Sequence, residues 1–218
     1  MSSVGWGSAK KPAGSSGDIL RIKLSAEVPE VRVRLIGNVL PRHQYWITNK
    51  DGGKRTIECL SFNRDTQEFD SSPDPMREVP EGVFINKEGT PEFCYVTEVI
   101  DRKDGKLKIM ELKATIYKKI VDICQNPDYG DVSDSVMGVD LLIKREKTGP
   151  LPQNVKYDTM PGRKATPFTE AELALESYEL EKIYKRPTYA EQKKWLLENT
   201  TYFAGVDSEA SPEKADDI

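Results

Sequence analysis

A mainly β fold with appended helices (α+β) follows from three observations. Short stretches alternate apolar and polar residues, two Asp-Gly turns join pairs of them, and one amphipathic helix falls between the middle and later stretches. VRVRLIG (31–37) alternates Val31, Val33 and Leu35 with Arg32 and Arg34, which predicts a half-buried strand with its basic side in solvent. QYWIT (44–48) and RTIECL (55–60) flank NKDGGK and predict a hairpin, because Asp-Gly supplies left-handed turn positions. FCYVTEVID (93–101) and KLKIMEL (106–112) flank the second such turn. ATIYKKIVDICQ (114–125) sets Ile116, Ile120, Val121 and Cys124 on one helical face. GVDLLIKRE (138–146) and QNVKYDTM (153–160) read as two later strands. Five or six short strands with a helix in this position predict an OB-type five-stranded barrel, although an α+β sandwich has the same periodicity.

The remaining segments divide the chain. Residues 1–18 are Gly/Ser-rich and predict a flexible N-terminal arm. Residues 61–92 contain four Pro and little periodicity, so they predict a long insertion within the 19–168 barrel domain. Thr169 with Glu172 and Thr188 with Glu191 form two capping boxes, on either side of Pro187, and predict a helical extension over 169–206. Residues 207–218 (DSEASPEKADDI) hold five acids and one Lys, which predicts a disordered acidic tail.

Composition narrows the function. No apolar run approaches the ~20 residues of a spanning helix, and the polar start lacks the core of a leader. Three scattered cysteines (59, 94, 124) offer no disulfide framework and predict a reducing, cytoplasmic setting. The net charge of -4 at first argues against a nucleic-acid partner. Its distribution reverses that inference: residues 1–18 and 19–168 are each +1, and 169–218 are -6.

Phosphate-binding, dinucleotide, metalloprotease and nucleophile-elbow motifs are missing, so the sequence predicts no catalytic residue, no cofactor and no enzyme. Cys59, Cys94 and Cys124 fall in apolar patterns and read as buried small hydrophobes. Asp128, Asp131 and Asp134 lack calcium-loop spacing and read as a solvated loop; a magnesium-dependent nuclease built on them is a minor rival.

The barrel region interleaves cations with aromatics. Arg42 lies beside Tyr45 and Trp46, Lys54 and Arg55 lie on the following hairpin, and Phe62 and Arg64 come next. Tyr95, Lys113 and Tyr117 come later, then Lys144, Arg145 and Lys156. Single-stranded nucleic acid is held this way: a positive groove tracks phosphates while aromatic faces stack bases at ~1–3 kcal/mol each. An acidic β-domain that recruits replication or virion proteins without touching nucleic acid is the alternative.

The order of VRVRLIG, the hairpin ending at Cys59, FCYVTEVIDRKDGKLKIMELKATIYKKIVDI and GVDLLIKREKTGP resembles a known family. The stretch from Val31 to Phe168 is similar to the helix-destabilising single-stranded-DNA-binding proteins of large tailed phages, the gene 32 product type. The resemblance implies an OB-type barrel that coats DNA in phage replication, recombination and repair, in the host cytoplasm. It also implies an arm for self-association along DNA and an acidic tail for replication and recombination proteins. The family holds a structural zinc with one His and three Cys. Here Cys59 and His43 match two positions, but Ser72 and Pro75 stand where the closing pair would fall, which implies a zinc-less variant.

Overall fold

The computed structural model describes residues 19–79, 89–151 and 154–201; the predicted arm (1–18) and acidic tail (207–218) lie outside them. The architecture is organised by one strand. β2 (Glu30–Thr48) joins the two segments read from the sequence as separate strands. Its first part pairs antiparallel with β8 (Leu141–Lys147) and its last part with β3 (Lys54–Glu58), while β6 (Glu92–Asp101) runs along its other side. The register slips between Ile36 and Val39, where Gly37 takes φ 61°, so a bulge bends the strand and the sheet curls around it. Beyond β6 lie β7 (Lys106–Lys113) and, parallel to it, the short β1 (Arg21–Ile22); beyond β8 lies β9 (Val155–Pro161). The result is a mainly β, curled mixed sheet, a half-barrel of OB type with more strands than the expected five.

Both Asp-Gly turns form as expected, with φ of 77° at Gly52 and 67° at Gly105. The inner face of the curl buries Val31, Val33, Leu35, Val99, Leu141 and Ile143. Helix α1 (Ala114–Gln125) closes that core with Ile116 and Ile120, the apolar face predicted from its spacing.

On the basic side of the 31–37 stretch, Arg32 is exposed as expected and Arg34 is a correction. Arg34 is 0% exposed, not solvated. The loop after α1 and the segment after β9 fold over it, and its guanidinium donates to the carbonyls of Val132, Asp134 and Thr166. It also lies 4.5 Å over the Phe168 ring. Gly138 permits this cover, since a Cβ there would collide with the guanidinium and with the Asp134 carbonyl.

The insertion has its own order. Its first part is the hairpin β4 (Phe62–Asn63) and β5 (Glu68–Phe69), and a single 3-10 turn follows at Pro75–Glu78. Asp74 is 3% exposed, and its carboxylate accepts from the backbone N–H groups of Leu60, Ser61 and Met76. Three charge-assisted bonds thus knit the start of the insertion to its middle. Cys59 lies against the Tyr45 and Ser61 hydroxyls, and Pro75 opens the 3-10 turn.

The C-terminal segment packs on the sheet. Both capping boxes form, at Thr169 and Thr188. The first heads only a single turn, α2 (Glu170–Leu173), followed by another, α3 (Leu180–Ile183). Tyr178, Leu180, Ile183 and Tyr184 cover Leu40, Val96 and Ile109 on the outer face. Helix α4 (Tyr189–Asn199) inserts Leu196 into a second core with Tyr45, Ile47, Ile57, Phe62 and Met76.

Candidate nucleic-acid interface

The two periodicities that place side chains in this region converge on one line of rings. Along β2, His43 shares a face with Tyr45; along β6, Phe93 shares a face with Tyr95, and β2 pairs with β6 so that His43 stands opposite Phe93. Tyr117 rises from α1 one turn after Lys113. The hairpin β4–β5 lays Phe62 and Phe69 across from the other side. His43 sits 4.2 Å from Phe62, 4.9 Å from Phe69 and 5.6 Å from Phe93, centroid to centroid. Phe93 continues to Tyr95 at 3.8 Å and Tyr117 at 5.3 Å, and those two tyrosines are 4.1 Å apart. Six rings of the described residues therefore form one unbroken ladder running from the insertion, across the sheet, to α1.

The ladder has a buried foot and an open side. Phe62 and Tyr95 are buried, His43, Phe93 and Tyr117 are half-buried, and Phe69 is 53% exposed. Burial pushes the Tyr95 hydroxyl up to about 12 and holds His43 below its ordinary value, so both stay neutral near pH 7. Nδ1 of His43 has no hydrogen-bond partner among the described residues.

Several residues expected to stack or to bind phosphate have other occupations. Tyr45 is 4% exposed, set in the second core with its hydroxyl beside Asp74 and Cys59, which removes it as a stacking platform. Phe62 and Tyr95 support the ladder from below and present little free face. Arg42 and Arg64 share the buried Glu58 carboxylate at 2.6 and 2.8 Å. Arg42 also lies 4.5 Å over the Tyr184 ring, so C-terminal packing holds it in place. Two guanidiniums against one carboxylate leave that cluster a net positive charge. Lys144, Arg145 and Lys156 line a depression on β8–β9 together with Glu30, Glu146 and Asp158, which balances their charge. A count of cations along the sequence does not see these acids.

Other expectations fit an open surface. Lys54 and Arg55 are exposed on β3. Lys113 is exposed with its ammonium 5.8 Å from the Trp46 ring, and Trp46 donates to Glu92 at 2.9 Å. The sequence places Phe93 on the Tyr95 face without marking it as a binding residue, and it does not single out His43 or Phe69 as stacking groups. The visible signal is the odd-numbered pair Phe93 and Tyr95; Phe69 carries no local signal, because only the hairpin's docking brings it to the sheet.

Two carboxylates of the 126–137 loop, Asp131 and Asp134, are engaged locally. Asp131 accepts from Ser133, and Asp134 accepts from the N–H groups of Val136 and Met137. Among the described residues no group of His, Cys, Asp and Glu is placed to hold a metal. No helix of the described residues is long and apolar enough to cross a membrane.

No protein-family model matches the chain. Over 153 residues it is 37% identical to a protein of Escherichia phage T5 described as a probable ssDNA-binding protein. The match covers 66% of this chain and 56% of the phage T5 protein, so the chain spans little more than half the length of that curated relative.

Proposed function

We propose that this chain binds single-stranded DNA along the ring ladder, with bases stacked on the open faces of Phe69, Phe93 and Tyr117. The ladder carries the reading. An unbroken row of rings, half-open on one side of a curled sheet, has more aromatic face at the surface than core packing requires. Lys54, Arg55 and Lys113 supply phosphate contacts, and the similarity to the phage T5 protein supports the same partner. Binding of this kind is largely independent of sequence, because every base offers a π-face.

The finer picture goes with it. The chain coats DNA exposed in phage replication, recombination and repair, in the bacterial cytoplasm, and performs no chemistry on it. The acidic C-terminal residues recruit replication and recombination proteins, and the arm supports self-association along the strand. The layout of charge, with -6 in residues 169–218, supports the first of these. On this reading the chain is a zinc-less relative of the gene 32 product type.

Titration of the protein with oligo(dT), followed by tryptophan fluorescence or anisotropy, tests the reading. Affinity should fall steeply with salt as counterions are released. Phe69→Ala and Phe93→Ala should each weaken binding by roughly five- to a hundredfold, the loss of one stacked base. Unchanged affinity in both variants, or no binding at low salt, would leave the protein-recruiting module as the better description.

A further inference from the structure

The loop of the β4–β5 hairpin, residues 64–67, ends on Gln67 with φ 58°. Among the described residues this is the one non-glycine position in the left-handed region. That conformation is unfavourable for an ordinary side chain, and Gly or Asn is its usual occupant. Turn chemistry therefore does not explain a glutamine here, and its side chain must.

That side chain reaches the ladder. Gln67 Oε1 accepts from the Tyr95 hydroxyl at 2.9 Å, and the Tyr95 ring in turn lies 4.1 Å from that of Tyr117. Oε1 already accepts one bond, whereas the NH₂ group of the same amide is a donor with no partner among the described residues. Gln67 is exposed, two residues from the open ring of Phe69 and in contact with the far end of the ladder.

We infer that Gln67 reads the stacked base, favouring one that carries a carbonyl at its outer edge over one that carries an amino group. The inference rests on the single-stranded-DNA reading. A base stacked on the ladder keeps its sugar with the phosphate chain in solvent. Its far edge then meets the cleft, where thymine and uracil present O4 and cytosine presents an N–H donor. An amide whose NH₂ is free and whose Oε1 already accepts from Tyr95 bonds the first more readily than the second. General binding by stacking is thereby given a bias toward thymine over cytosine.

The full chain is titrated with oligo(dT), oligo(dU) and oligo(dC) of equal length. The dT-to-dC affinity ratio should fall about three- to tenfold in Gln67→Leu, the effect of one hydrogen bond. Gln67→Gly, which relieves the left-handed backbone, should lose the same ratio while keeping or raising the thermal midpoint. Oligo(dU) should behave as oligo(dT), since it has the carbonyl without the methyl group. A ratio unchanged in both variants, with oligo(dT) still bound, overturns the inference and makes Gln67 only a tie between hairpin and sheet. A preference for dT lost in dU overturns it too, in favour of a methyl contact. Failure of the unaltered protein to bind any of the three overturns the DNA reading itself.

Discussion

His43 is the single histidine of the chain, and its place between Phe62, Phe69 and Phe93 gives it a measurable signature. Burial holds it below its ordinary value, so the native state resists the proton that the unfolded chain accepts near pH 6.5. The unfolded state then binds more protons, and this contribution to stability is present above pH 6.5 and is lost as pH falls through that value. The urea midpoint should decline between pH 6.5 and 5.5, and His43→Phe should remove that part of the decline. Whether an aromatic or a cation is free was poorly legible at this scale. Tyr45 and Trp46 are neighbours in sequence, yet one is core and the other is half-buried beside Lys113. Alternation predicts that they differ but does not say which faces out. Arg34 shows the same limit: its cover comes from residues about 100 and 132 positions away.

Elements whose signals are local were legible. The Asp-Gly hairpins, α1 and both capping boxes follow from turn and cap chemistry within a few residues, and all of them formed. The union of two strands into β2 was not legible, because a bulge at Gly37 looks in sequence like a break. Nor was the β4–β5 hairpin, two residues to a strand and dependent on docking. Helix α4 was predicted, but not its role as a wall of the second core. Leu196 is 0% exposed there. Leu196→Ala should cost about 2–5 kcal/mol in chemical denaturation. Because Phe62 shares that core, the variant should also weaken oligo(dT) binding through the foot of the ladder.

The whole molecule separates charge along its length. The described sheet carries cations partly balanced by Glu58, Glu30 and Asp158, while the strongest excess of one sign is the acidity after residue 168. A like-charged chain end competes with DNA for the same cations. Deleting residues 207–218 should raise oligo(dT) affinity at low salt, and the gain should vanish as screening shortens to ~3 Å near 1 M salt. Equal affinities of full-length and shortened protein at low salt would remove that competition. Sequence arithmetic was sufficient for this prediction, since charge summed by segment needs no fold.

The outer cover of the sheet has a consequence for how the protein is made. The Tyr178 hydroxyl accepts from the Leu20 N–H, a contact spanning 158 residues, and Arg21 reaches Tyr184 across 163. Pairings so distant in sequence close late and slow folding. During translation at ~5–20 residues per second, β2 and β6 can pair while their outer apolar patch, Leu40 and Val96, still waits for residues 178–184 to emerge. For several seconds the nascent chain therefore shows its ribosome-bound neighbours a sticky surface that the finished molecule hides. That interval, rather than the native state, is where chaperones would meet this protein.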